Sequence, residues 1–157
     1  MPHGTVIVIG GAEDKVRDRV ILSRFVALAG GRDARIAVIA TASSFGMEAG
    51  DRYRSVFTEL GAAEVMPLNA VTRAQANDEH SARIIGDATG IFMTGGNQLR
   101  LSSMLGGTRL AAAVMERFMA GAVVAGTSAG ASAVSSHMIA FGASGATPKH
   151  RMAQIAA

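Results

Sequence analysis

"VVAGTSAGAS", residues 123–132, decides the fold. Two β-branched valines run into a glycine, and a serine follows, framed by small residues. Valine suits a pleated, half-buried surface, so Val123 and Val124 read as strand, while the Ala- and Ser-rich string after Ser128 reads as a closely packed helix. Gly126-Thr127-Ser128-Ala129-Gly130 fits G-x-S-x-G, the motif in which a serine occupies a strained strand-to-helix turn and glycines keep bulk away from its hydroxyl. Ser128 is therefore a candidate nucleophile. The backbone N–H of Ala129, opening the helix, points at any anion forming beside that hydroxyl. A bare glycine-rich turn that packs tightly or binds phosphate fits the same five residues; the strand before and the helix after favour the nucleophile.

Working outward, apolar β-branched runs recur with helical stretches between them. Thr5–Gly10 is followed by a helix over Asp14–Ala29, and Arg35–Thr41 is a continuous apolar run that suits a parallel strand covered on both faces. Next, Glu48–Leu60 places Tyr53, Val56, Phe57 and Leu60 at i, i+3, i+4 and i+7, ending at Gly61 in the C′ position. Ala63–Leu68 is a third strand whose end Pro67 marks, followed by a short helix near Asn77–Gly86, a fourth strand within Thr89–Gly96, and helices over Asn97–Leu105 and Thr108–Met119. The alternation predicts an α/β domain: an open, mainly parallel sheet with helices on both faces. In such sheets ligands sit beyond the carboxyl ends of the strands, where the turns "GGAED", "TASSFG", "TGGNQ" and "GTSAG" all fall.

Composition narrows the function. The 157 residues are 49% hydrophobic and 17% charged, room for one domain with a substantial core. No cysteine is present, which excludes disulfides and a thiolate nucleophile. The net charge of +3 comes from scattered basic residues with no Lys/Arg run, so nucleic acid is not an expected partner. No apolar run nears the roughly 20 residues that cross a bilayer, and the start "MPHGTVIVIGG" lacks a basic n-region, so no membrane association and a cytoplasmic location are expected.

"TGGNQ" is the natural second half of an oxyanion hole. Gly95 and Gly96 let backbone amides approach a ligand, and Asn97 and Gln98 bring side-chain amides suited to a peptide or carboxylate. "GGAEDK" lacks both the G-x-G-x-x-G spacing and the Walker lysine-serine pair, so no nucleotide cofactor is expected, nor a metal; Asp14 is assigned as helix N-cap, and Glu13 to the surface in preference to a position facing a cationic substrate group. A base for Ser128 is harder to find. His3 is terminal and His80 lies on a polar helix; His137 would stand roughly 13 Å along a continuing helix, and His150 lies in a loop. No Asp or Glu follows Glu116.

"IGGAEDK", "TASS", "RYRSVFTELGA", "FMTGGNQLRLSSMLGGT" and "VVAGTSAGASAVS", in this order, resemble the cyanophycinases, in the serine-peptidase family that also holds the aspartyl dipeptidases. The resemblance covers nearly the whole chain. It implies a flavodoxin-like sheet of the class I glutamine-amidotransferase type with serine in place of the nucleophilic cysteine. The implied activity is that of a serine exopeptidase hydrolysing cyanophycin, a polymer of aspartate with arginine on each side-chain carboxyl, to β-aspartyl-arginine dipeptides. Carried over by position, Ser128 is the catalytic nucleophile, Gly96 and Ala129 supply oxyanion-hole amides, and Asn97 and Gln98 bind substrate, cyanophycin or a β-aspartyl peptide. Members commonly carry aspartate where Asn97 stands. They also place a carboxylate in the region matched by "AFGASGATP", here Ala143, Ser144 and Ala146, and continue for about a hundred residues holding the triad histidine and substrate-binding arginines. Residues 1–157 are thus expected to form one domain, the N-terminal part of such an enzyme and inactive alone. The competing readings are a non-catalytic binding protein of the same fold and another elbow hydrolase such as an esterase. A homodimer is one assembly open to it.

Overall fold

A computed structural model describes residues 3–139. Five strands, β1 (Val6–Ile9), β2 (Arg35–Ile39), β3 (Glu64–Leu68), β4 (Gly90–Met93) and β5 (Val123–Thr127), form one sheet in the order β1-β5-β4-β2-β3. Every pairing is parallel, with Val6 opposite Val124, Ile36 opposite Gly90 and Ile91 opposite Val124. The α/β architecture expected from the alternation is the one observed. The positions expected for residues after 139, including His150, lie outside the described residues.

Side-chain alternation along the central strands divides the core in two. On one face α1 (Val20–Leu28) and α2 (Met47–Glu59) bring Leu22, Phe25, Val26, Tyr53, Val56 and Phe57 against Ile36, Val38 and Phe92. Phe92 is the hub there, its ring 4.6 Å from Tyr53, 5.2 Å from Phe57 and 5.5 Å from Phe25 between centroids. The opposite face buries Ala37, Ile39, Ile91 and Met93 under α3 (Arg73–Ala76), α4 (Glu79–Asp87), α5 (Gln98–Leu105), α6 (Arg109–Met119) and α7 (Ala129–Ala133). Edge strand β1 is covered on one face only: Ile9 is buried, whereas Val8 is 67% exposed.

Two local expectations are corrected. The first helix begins at Val20 instead of Asp14, because the Asp14 carboxylate closes a turn of its own, accepting the N–H groups of Val16, Arg17, Asp18 and Arg19 at 2.8–3.2 Å. Asp14 is thus a cap of that turn, and Arg19, at φ 48°, is the residue before α1. The helix expected near Asn77–Gly86 is α4, which Asp78 caps by accepting the Ser81 N–H; a separate single turn, α3, precedes it in the connection, with Thr72 and Gln75 forming its capping box. Pro67 sits inside β3 opposite Val38; it is tolerated because β3 is an edge strand, where its missing N–H faces no neighbour.

Candidate functional site

The chain leaves β1 for α1 on one face of the sheet and leaves the adjacent β5 for α7 on the other. A crevice must open where such neighbours diverge, at the carboxyl edge. Ser128 lies there. It has φ 51° and ψ −110°, a left-handed backbone rare for any residue but glycine, and its N–H donates to the Ile9 carbonyl at 2.9 Å. The side chain is exposed between two bare glycine walls: a Cβ on either Gly11 or Gly95 would lie 3.4 Å from Ser128 Cβ and 3.9 Å from its Oγ.

The motif's glycines serve close approach. A Cβ on Gly126 would fall 2.2 Å from the Gly130 carbonyl oxygen, and one on Gly130 would fall 2.3 Å from that of Met93, so α7 can start directly above β4 and β5 only if both are glycine. Gly96, at φ 141°, is pinned in the same way: its Cβ would lie 2.0 Å from the Ala42 carbonyl oxygen. The Asn97 N–H donates to that carbonyl at 2.9 Å, while Asn97 Oδ1 caps α5 by accepting the Arg100 N–H at 2.9 Å. Gln98 Nε2 donates to the Ile139 carbonyl at 3.0 Å. Among the described residues the Asn97 amino group and the Gln98 carbonyl oxygen have no hydrogen-bond partner. Ala129 is buried as the first residue of α7.

Glu13 is not on the surface. Its side chain is 1% exposed and its carboxylate accepts from Tyr53 Oη and from Thr127 Oγ1 at 2.6 Å, with Lys15 Nζ at 2.7 Å. Burial pushes the carboxyl up, but the hydrogen bonds from Lys15, Thr127 and Tyr53 outweigh it and hold Glu13 below its usual value. Burial first, and then the Glu13 carboxylate, push the Tyr53 phenol well above its own. Sequence reasoning missed this cluster; the available signals were the single tyrosine of the chain at Tyr53 and a hydroxyl residue directly before Ser128.

The other sequence candidates are dispersed. His3 stacks on Phe118 ahead of β1, and His80 lines a cavity of about 240 Å³ with Arg35, Glu64 and Asp87, at the start of β2 and β3 and so at the amino edge. His137 follows α7, where its carbonyl accepts from Ser135 Oγ. An apolar groove of about 570 Å³ runs between α5, α6 and the segment after α7, lined by Leu101, Leu105, Val114, Phe118 and Met138. Neither concavity includes Ser128. Among the described residues no group of three His, Asp or Glu side chains is placed to hold a metal ion, and no helix is long and apolar enough to cross a membrane.

Known proteins resemble this chain in sequence and in fold. The chain is 45% identical over 155 residues to a cyanophycinase of Geminocystis herdmanii, covering 98% of this chain and 57% of that one. It is 42% identical to a cyanophycinase of Synechococcus elongatus (98% and 48%) and 41% identical to one of Trichormus variabilis (96% and 51%). The chain thus spans about half the length of the curated relatives it matches. Among solved structures, a peptidase from an acI-B1 actinobacterium superposes with a TM-score of 0.76 at 24% identity (87% of this chain, 58% of that one), and a putative peptidase E protein from Listeria monocytogenes EGD-e with 0.61 at 20% (83% and 61%). These two speak for the fold. The model of peptidase family S51 matches residues 6–156, nearly the whole chain, and the chain belongs to peptidase family S51.

Proposed function

We propose that the chain forms the nucleophile-bearing half of a serine exopeptidase that hydrolyses cyanophycin to β-aspartyl-arginine dipeptides through an acyl-enzyme. The observation that carries this is the backbone of Ser128, an exposed serine held at φ 51° between Gly11 and Gly95 at a strand-to-helix junction. The 41–45% identity to cyanophycinases supports the substrate class. Ser128 Oγ attacks the carbonyl carbon of the scissile peptide bond and loses its proton to a base; the C–N bond then breaks, the amine leaves with a proton, and water releases the acyl group from the serine. The N–H groups of Gly96 and Ala129 stabilise the oxyanion of the tetrahedral intermediate. The Asn97 amino group and the Gln98 carbonyl oxygen orient the peptide. The protein acts in the cytoplasm and needs neither metal nor cofactor.

The test is a cyanophycin assay on this sequence extended to the length of its relatives, beside the Ser128→Ala form. Release of β-aspartyl-arginine that disappears in the variant is the expected result. Full activity in Ser128→Ala would remove Ser128 as the nucleophile, and binding of cyanophycin without release would favour a non-catalytic binding protein.

A further inference from the structure

The loop after β1 turns back into the protein. Gly11 (φ 101°) and Ala12 (φ 51°) adopt successive left-handed conformations, the second without glycine's freedom, and deliver Glu13 into the interior. A buried carboxylate is costly unless donors replace its water. Here they converge from three separate segments: Lys15 from the same loop, Tyr53 from α2, and Thr127 from the end of β5. Thr127 is also the residue before Ser128. A serine at φ 51° persists only where its surroundings over-determine it. One restraint is the ladder-like bond from the Ser128 N–H to the Ile9 carbonyl. The other reaches the same turn through a side chain, at Thr127 Oγ1.

We infer that Glu13 is a positioning residue for Ser128: through Thr127 it fastens the β1 turn to the end of β5 and so holds the serine in its left-handed conformation, without itself touching substrate. The catalytic meaning of this rests on the function proposed above, but the fastening is a property of the fold and is tested separately.

Amide hydrogen exchange read by NMR on residues 1–157 compares Ser128, at the elbow, with Val38, inside β2. Thr127→Val keeps the side-chain shape and removes the donor. The expected result is a Ser128 amide that exchanges about tenfold faster relative to Val38, since a local opening moves only the elbow. Thr127→Ser restores the ratio, Glu13→Gln, which discharges the acceptor that Lys15, Tyr53 and Thr127 share, gives at least the same loss, and the double variant Glu13→Gln/Thr127→Val shows no further loss beyond it, because Thr127 acts through Glu13. An Ile85→Val control in the opposite core speeds the two amides in proportion. An unchanged ratio in Thr127→Val, additive losses in the double variant, or the same selective loss in Ile85→Val would overturn the positioning role. Should Glu13→Gln fail to fold, Thr127→Val, Thr127→Ser and Tyr53→Phe decide by the same ratio, with an unchanged ratio in the first and third again overturning it. Failure of the family-length chain to hydrolyse cyanophycin sinks only the proposed function.

Discussion

At Ser128 the backbone does as much as the hydroxyl. Its φ of 51° lifts the side chain out of the sheet edge, and Gly126 and Gly130 let α7 sit close enough to keep it there. In the family-length enzyme, Ser128→Ala is expected to abolish labelling by a serine-directed fluorophosphonate and to lower turnover by several orders of magnitude. Gly126→Ala acts on the scaffold: its Cβ would meet the Gly130 carbonyl at 2.2 Å, so overpacking should cost about 1–3 kcal/mol, read as a fall in Tm of roughly 2–4 °C per kcal/mol. The pH dependence follows from Tyr53. Its phenol is raised in the folded state, so its contribution to stability is complete below its ordinary value near 10 and is lost as the pH rises beyond that. Glu13 works in the other direction: held low when folded, it contributes fully above the ordinary carboxylate range near pH 4, and the contribution fades as pH falls through and below that range. Thermal melts from pH 3 to 11 should therefore decline at both ends, with a shallower alkaline decline in Tyr53→Phe. Melts of that variant falling as steeply above pH 10 as the parent would refute the assignment.

The elements that read most clearly are those whose pattern has one solution. Val6–Ile9, Arg35–Ile39 and Val123–Thr127 fall inside the strands expected from their apolar runs, and α2 begins and ends one residue before its predicted bounds because Tyr53, Val56 and Phe57 form a single stripe. The first helix was misread by six residues because Asp14, a good N-cap by type, instead closes a turn on four amides of its own loop. Glu13 was illegible for a related reason: a carboxylate after two small residues looks like surface, and only the left-handed turn at Gly11 and Ala12 carries it inward. The glycine turns of the site could be placed in sequence, whereas Tyr53 and Thr127 are joined to it only by the tertiary fold. In β4 all four residues are buried, and Phe92 touches aromatic rings from both α1 and α2. Phe92→Ala is expected to cost about 3–5 kcal/mol, seen as a lower urea midpoint with the slope preserved. A loss below 1 kcal/mol would mean that α1 and α2 collapse into the cavity.

For the whole molecule, strand order lay beyond the sequence, because alternation predicts a parallel sheet without saying that β1 inserts beside β5. That order is what brings the Gly11 turn next to Ser128. Residues 1–157 alone are expected to release dipeptide from cyanophycin only in trace amounts. A serine hydroxyl needs a hydrogen-bonded base, and among the described residues no histidine side chain is hydrogen-bonded to Ser128: His3 and His80 stand away from the carboxyl edge, and His137 follows α7. An oxyanion hole and binding alone leave about 10³–10⁴ over water. Turnover equal to that of the family-length chain would show that a base is already present. The pairing of Val6 with Val124 also imposes an order in time. While the chain is being made, β2, β3 and β4 can associate over local helical crossovers, but the first strand has no neighbour until the fifth has left the ribosome. Only then does the Ile9 carbonyl meet the Ser128 amide. A nascent chain therefore carries a relaxed, unremarkable serine, and the strained one comes into being with the closing of the sheet.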